Sequence, residues 1–148
     1  MKRYRISPGG CGNYYLESLF EKYVNVKKED LNTHSNNPLS PDKNSRVAYI
    51  YGDPFNIILS FYRRGFFSSP YSHFRHIGGD YKTMKRLPKW SLKDFLSLEK
   101  DPLFLFDHFR DWYFHENRNY DIAFFRYESL ADTIQDLCLW YELDTSII

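Results

Sequence analysis

The feature that most constrains the fold is a unit that occurs three times: a short β-type run, a turn and an amphipathic helix. The β-type runs cover residues 2–6, 46–51 and 121–125, and apolar residues at helical spacing follow each of them. Strands that alternate with helices form a mainly parallel sheet with helices on both faces. The sequence therefore predicts one three-layer α/β domain over residues 1–148, with a small sheet flanked by helices.

Helix-start signals accompany the three units. Asn13 is a candidate N-cap for the first helix. Asp53 followed by Pro54 is the strongest signal, because it places an N-cap carboxylate before a proline at the first helical position. Asp132 and Gln135 resemble a capping box, so the last helix is predicted to begin near Asp132.

The segment between the second and third units contains two further helix starts and one long loop. Ser91 and the pair Asp101-Pro102 are predicted to open helices. Residues 66–90 show no clear period and are predicted to form a long loop. Residues 63–90 hold seven Lys or Arg against one acidic residue, although the whole chain has a net charge of only +1. This block favours an anionic ligand, the alternative being a solvated basic loop.

The loop after the first β-type run has the composition of a phosphate cradle. Gly9, Gly10 and Gly12 allow backbone N–H groups to turn inward, and a helix N-terminus near Asn13 adds partial positive charge. The loop lacks the lysine of a full Walker motif, so a plain tight turn is the alternative. In a parallel sheet this loop would meet the ends of the other strands at one edge.

Composition excludes several classes of protein. No run of about 18 apolar residues could span a membrane, and the basic N-terminus has no apolar stretch typical of a secretory signal. Cys11 and Cys138 are too few for a disulfide framework or a zinc site, which leads us to expect a soluble, intracellular (cytoplasmic) protein. No histidine is grouped with metal-ligand types, so no metal is expected; those considered are His73, His76, His108 and His115.

Aromatic residues make up 20% of the chain, more than a core of this size needs. The surplus is predicted to line a pocket or a partner surface, and it is compatible with a homodimer. An AT-rich, viral-type coding bias would also favour this abundance of Tyr and Phe.

Four motifs in order resemble the sulfotransferases that use 3′-phosphoadenosine 5′-phosphosulfate (PAPS) as donor, which are P-loop-like α/β proteins. The family's donor loop, its Lys-x-His strand end, its Arg-Asp-Pro…Ser element and its Arg-Tyr-Glu run each have a counterpart in this chain. The similar segments are Pro8-Gly-Gly-Cys-Gly-Asn-Tyr-Tyr-Leu16, Asn32-Thr-His34, Gly52-Asp-Pro54 with Ser60, and Arg126-Tyr-Glu-Ser-Leu130.

The resemblance implies a role for several residues. Ser60 would hydrogen-bond the 3′-phosphate, and His34 would be the general base that takes the proton of an acceptor hydroxyl. The loop would surround the 5′-phosphosulfate through Gly9, Gly10, Cys11, Gly12, Asn13 and Tyr14. Structural alternatives stay open: His34 as a surface-loop histidine, Ser60 as an ordinary helical serine, and Arg126 with Glu128 as a pair that fixes the sheet edge.

The chain departs from the family at two cations. Gly10 stands where the donor-loop lysine should be, and Gly52 replaces the arginine of Arg-Asp-Pro. Loss of one well-placed stabilising donor commonly costs about 100-fold in rate. Candidate replacements are Arg63 and Arg64, Arg3 and Arg5, and the basic loop with Arg75, Lys82, Lys85, Arg86 and Lys89.

The sequence thus predicts PAPS-dependent transfer of a sulfuryl group to a hydroxyl acceptor such as a carbohydrate. One alternative is a catalytically degenerate remnant that binds a nucleotide or a partner. Another is a polyanion- or RNA-binding module, since basic residues interleaved with aromatics suit stacking. No recognised nucleic-acid motif supports that last alternative, and nucleic acid is not an expected partner.

Overall fold

The computed structural model describes residues 1–24, 31–33, 37–67, 81–98 and 101–145. The described strands are β1 Arg3–Ile6, β2 Leu31–Thr33, β3 Arg46–Tyr51 and β4 Asp121–Arg126. The described α-helices are α1 Asn13–Val24, α2 Pro54–Arg63, α3 Tyr81–Arg86, α4 Leu92–Leu96, α5 Leu105–Tyr113 and α6 Ile134–Trp140. Two short 3-10 helices cover Leu87–Lys89 and Tyr127–Ser129.

The sheet has the order β2-β1-β3-β4, and each neighbouring pair is parallel. Arg3 of β1 lies opposite Leu31 on one side and Arg46 on the other, and Arg46 in turn lies opposite Asp121. The prediction of a small parallel sheet is confirmed. The chain leaves β1 for β2 on one side and then crosses back to β3 on the other. The carboxyl ends of β1 and β3 therefore form a topological switch point, where ligands bind in open α/β sheets.

The two faces of β3 divide the core into two clusters. Ala48 and Ile50 belong to a buried cluster with apolar residues of α1, α2 and α6. Val47 and Tyr49 belong to a second cluster with Trp112 of α5. Successive strand side chains point to opposite faces, so helices pack on both sides of the sheet, in agreement with the predicted α/β class.

Two of the predicted helix starts are confirmed by their hydrogen bonds. The Asp53 carboxylate accepts from the backbone N–H of Phe55 (2.8 Å) and of Asn56 (3.2 Å), and Pro54 takes the first helical position. Ser91 and Asp94 form a complete capping box at the start of α4. These side chains satisfy backbone donors that the first helical turn leaves without partners.

Three predicted starts are shifted. Asn13 is the first residue of α1 rather than its N-cap, since the Gly12 carbonyl accepts from the Leu16 N–H (3.1 Å). The Asp132–Gln135 capping box is not formed: a 3-10 turn follows β4, and Thr133 precedes α6 without a side-chain cap.

The third shifted start is that of α5, which begins at Leu105 rather than next to Asp101-Pro102. The Asp101 carboxylate accepts instead from the N–H groups of Leu103 (3.1 Å) and Phe106 (2.7 Å).

The predicted long loop 66–90 is wrong at its C-terminal end. Tyr81–Arg86 is an α-helix and Leu87–Lys89 continues it as a 3-10 turn. A segment this short shows too little periodicity to be recognised, and its proline masks the pattern further. Residues 68–80 lie outside the described part of the chain, and this range includes His73, Arg75 and His76.

Candidate functional site

The glycine loop after β1 has a sharply turned backbone. Gly9, Gly10 and Gly12 have positive φ angles of 89°, 70° and 63°, whereas Cys11 between them does not. An alternation in the sign of φ points successive N–H groups toward one side, which makes an anion-binding concavity. The loop is held internally, because the Gly9 N–H donates to Ser7 Oγ (3.2 Å) and Cys11 Sγ donates to the Gly9 carbonyl (3.3 Å).

A cleft of about 430 Å³ opens beside this loop at the switch point between β1 and β3. Its other walls are α2 and the residues that follow β4. Six of the residues predicted to bind the donor line it: Gly10, Cys11, Gly12, Ser60, Arg63 and Arg64. The structure therefore brings together residues about 50 positions apart in the chain.

The other predicted donor-site residues either lie outside the lining of the cleft or are not described by the structure. Gly9 does not line the cleft but supports the loop from behind. Tyr14 is 70% exposed beside it, with the Arg64 guanidinium 6.0 Å from the centre of its ring. Nothing is described of the Asn13 side chain. The predicted base, His34, lies outside the described residues, because the range that contains β2 ends at Thr33.

Two cations and two carboxylates face the cleft. Arg63 and Arg64 are exposed, and no carboxylate among the described residues pairs with Arg63. Asp53 is occupied as the N-cap of α2. Glu128 accepts from the Asp53 N–H through Oε1 (2.7 Å) and pairs with Arg126 Nε through Oε2 (3.1 Å). Both carboxylates are thus engaged with protein donors.

The pairing of Glu128 agrees with the structural reading of the Arg-Tyr-Glu run. Partial burial alone would raise the pKa of Glu128, but hydrogen bonds from the Asp53 N–H, its own N–H and Arg126 together lower it. The carboxylate stays ionised and ties the end of β4 to the start of α2.

The remaining candidate cations lie elsewhere. Arg5 is 1% exposed and forms an ion pair with Glu17 of α1 (Nη2–Oε1 2.5 Å). Arg3 Nε donates to the Tyr141 carbonyl (2.8 Å). The exposed Lys85 and Arg86 of α3 do not line the cleft, and neither do Lys82 and Lys89. Within the described residues, the positive charge of the cleft comes from α2.

Cys11 lines the cleft as a neutral thiol. Its burial, reinforced by the charge of Glu128, raises the pKa of Cys11 to about 12. A thiolate nucleophile is therefore excluded at neutral pH. Cys138 is likewise a buried free thiol.

A second and larger cavity, of about 680 Å³, lies at the same edge of the sheet, and the sequence predicted a pocket with aromatic lining but not its position. It lies between β3, α2, α4 and α5, and its lining is mostly aliphatic and aromatic. Tyr49 is part of this lining, and its hydroxyl is hydrogen-bonded to His108 Nδ1 (2.6 Å). The surplus of aromatic residues was the available signal, but nothing in the sequence showed that Tyr49 of β3 and Phe106 of α5 meet.

The fold and the site define a class: a three-layer α/β protein with a polar cleft and an apolar cavity at the carboxyl edge of a parallel sheet. No protein-family model matches the chain, and no curated protein or solved structure matches it either. No helix in the described ranges is long and apolar enough to cross a membrane. Those same ranges contain no cluster of His, Cys, Asp or Glu that could hold a metal ion.

Proposed function

We propose that this chain is a sulfotransferase-like protein of P-loop-like fold that binds PAPS and transfers its sulfuryl group to a hydroxyl acceptor. The observation that carries the proposal is the convergence of the glycine loop with Ser60, Arg63 and Arg64 on one cleft at the switch point. These groups come from motifs that lie far apart in the sequence, and their convergence on one cleft supports the proposal.

The cleft has the chemistry that a nucleotide with anionic groups at both its 5′ and 3′ positions requires. Backbone N–H groups at Gly10–Gly12 and the N-terminus of α1 suit the 5′-phosphosulfate. Ser60 and Arg63, about one helical turn apart on α2, suit the 3′-phosphate. Arg64 with the ring of Tyr14 extends this surface on the exposed side. A volume of about 430 Å³ is within the range of small-molecule sites, roughly 300–1,000 Å³.

In the proposed reaction, a bond forms between the acceptor oxygen and sulfur while the bond between sulfur and the bridging phosphate oxygen breaks. The acceptor proton passes to a base, for which His34 is our candidate. The chain contributes mainly by positioning the two substrates and by offsetting charge on the leaving phosphate. Arg63 and Arg64 are the described cations that line the same cleft.

A specific observation favours a second candidate, nucleotide binding without transfer. Gly10 occupies the position of the donor-loop lysine, and its φ of 70° strains any side chain. A Cβ at Gly10 would also lie 3.3 Å from Ile57 Cα. The loop backbone therefore favours glycine at position 10. This position cannot supply the positive charge of the donor-loop lysine.

Two measurements separate these candidates. Calorimetric titration with 3′-phosphoadenosine 5′-phosphate (PAP) is expected to show binding, and titration with 5′-AMP, which lacks the 3′-phosphate, should show weaker binding. Transfer of ³⁵S from labelled PAPS to a panel of sugars, phenols and alcohols then distinguishes a transferase from a remnant. Absence of PAP binding at millimolar concentration would overturn both candidates and favour the polyanion-binding alternative.

A further inference from the structure

Helix α2 presents a line of three polar side chains to the cleft. Asn56, Ser60 and Arg63 occupy positions i, i+4 and i+7 of the helix, and all three line the cleft. Residues at this spacing share one face of a helix. A rise of about 1.5 Å per residue separates Asn56 from Arg63 by about 10 Å along the helix axis. The line is therefore long enough to contact two separate groups of one ligand, and Asn56 lies at its amino-terminal end.

Asn56 belongs to the turn of α2 that packs against the glycine loop. A Cβ added at Gly10 would fall 3.3 Å from both Cα and Cγ2 of Ile57, the residue that follows Asn56. Gly10 and Asn56 both line the cleft. An anion held by the backbone N–H groups of the loop would therefore lie beside the first turn of α2.

The side chain of Asn56 is available to a ligand. Its backbone N–H donates to Asp53 Oδ1 (3.2 Å), which fixes the residue in the first turn. Its exposed carboxamide forms no hydrogen bond with any other residue that the structure describes. The two carboxylates in the same lining, of Asp53 and Glu128, are instead bound to protein donors. The NH₂ group of Asn56 is thus a neutral donor that the described protein does not use.

The loop itself offers an anion only backbone donors at this point. Gly10 has no side chain, so any further donor has to come from a neighbouring element. A hydrogen bond from an uncharged amide to an anionic oxygen is stronger than one between two neutral groups. The carboxamide of Asn56 is placed on the neighbouring turn to make such a bond.

We infer that the Asn56 NH₂ group donates a hydrogen bond to the 5′-phosphate of the nucleotide, while Ser60 and Arg63 hold the 3′-phosphate. This inference rests on the proposed function, because it specifies how PAPS lies along α2. Asn56 is in this arrangement a binding residue that partly offsets the missing side chain of Gly10 without adding charge.

The test compares nucleotides that carry one phosphate each. The full chain is titrated calorimetrically with PAP, 5′-AMP and adenosine 3′-monophosphate (3′-AMP). Asn56→Ala should weaken binding of PAP and of 5′-AMP by about tenfold and affect 3′-AMP much less, because one hydrogen bond to the 5′-phosphate is lost. Ser60→Ala should show the opposite preference. A general disturbance of the cleft would weaken binding of all three nucleotides alike.

An isosteric variant tests the role of the NH₂ group itself. Asn56→Asp replaces the donor by a negatively charged oxygen of the same shape, so it should weaken 5′-AMP binding by about 100-fold. Asn117→Asp is the matched control, because Asn117 is exposed between α5 and β4, does not line the cleft and changes the net charge equally. It should leave the binding of 5′-AMP unchanged.

The outcomes separate this inference from the proposed function. No loss in Asn56→Ala, or equal losses for 5′-AMP and 3′-AMP, overturns the inference and leaves the proposed function standing. A loss in Asn117→Asp as large as in Asn56→Asp overturns it as well, since net charge alone would then explain the effect. A wild-type chain that binds no PAP overturns the proposed function, and the inference with it.

Discussion

The ring of Tyr127 lies directly against Gly12, so that a Cβ added at Gly12 would fall 2.1 Å from Tyr127 Cε2. Tyr127 follows β4 and Gly12 precedes α1, so this contact joins two loops that are more than 100 residues apart. It holds the glycine loop against the segment that follows β4. The loop is thereby held in shape before any ligand binds.

Replacement of Gly12 should be more costly than replacement of a glycine with similar backbone but no neighbours. Gly65 has a φ of 70° and nothing within 4 Å of an added Cβ, so Gly65→Ala should cost about 1 kcal/mol of left-handed strain. Gly12→Ala should cost about 1 kcal/mol more, because the Tyr127 ring, which is 37% exposed, has to move aside. Urea unfolding measures both, and equal losses would contradict the contact.

The buried ion pair between Arg5 and Glu17 should be essential to stability. Removal of the carboxylate in Glu17→Ala leaves a guanidinium group that is 1% exposed without that charge partner, which should cost about 3 kcal/mol. The control is Glu142→Ala, which breaks the more exposed pair with Arg46 and should cost less than about 1 kcal/mol. Thermal or urea unfolding would refute the prediction if the order were reversed.

The two arginines of α2 should determine the affinity for PAP. Arg63→Ala and Arg64→Ala should each weaken PAP binding by about tenfold, and binding should become less sensitive to salt as charge is lost. Arg110→Ala is the control, since Arg110 is an exposed cation on α5 that pairs with Asp107 away from the cleft. A loss in Arg110→Ala as large as in the α2 variants would show that only net charge matters.

Cys11 should be almost inert to alkylation in the folded protein. A pKa raised from 9.0 to about 12 lowers the thiolate fraction at pH 8 by about 1,000-fold, and burial excludes reagent further. Mass spectrometry after iodoacetamide treatment should show modification of Cys11 only on unfolding. A Ser40→Cys variant, with an exposed reference thiol, should react at once under the same conditions. Rapid labelling of Cys11 in the native state would mean that the loop opens.

The stability that Glu128 contributes should disappear at acidic pH. Its pKa is lowered in the folded state from an ordinary value of 4.5, so the contribution is complete above pH 4.5 and is lost as the pH falls through the lower folded value. Wild type should therefore be more stable than Glu128→Gln from pH 7 to about 5, and the difference should shrink below that. Urea midpoints across this range test the sign, and a difference that grows on acidification would oppose it.

The sequence predicted the α/β architecture because strand and helix periods are local properties. The bounds of β3 followed from its local run of β-type residues. The caps at Asp53 and Ser91 followed from side chains that bond to backbone groups within one helical turn. The failures were the places where long-range packing sets the boundary. A 3-10 turn between β4 and α6 positions Tyr127 against Gly12 and delays the helix past Asp132. The short helix Tyr81–Arg86 was too brief to carry a readable period.

For the site, the sequence by itself determined which residues could hold an anion, since glycine-rich backbone and basic side chains have that chemistry wherever they lie. Only the tertiary structure decided which of them meet. The strand order places the loop after β1 beside α2, so Arg63 and Arg64 line the cleft. Arg5, by contrast, is buried in β1 and forms an ion pair with Glu17. The apolar cavity belongs wholly to the tertiary level, because it arises from the distance between packed helices and the sheet, which no stretch of sequence encodes alone.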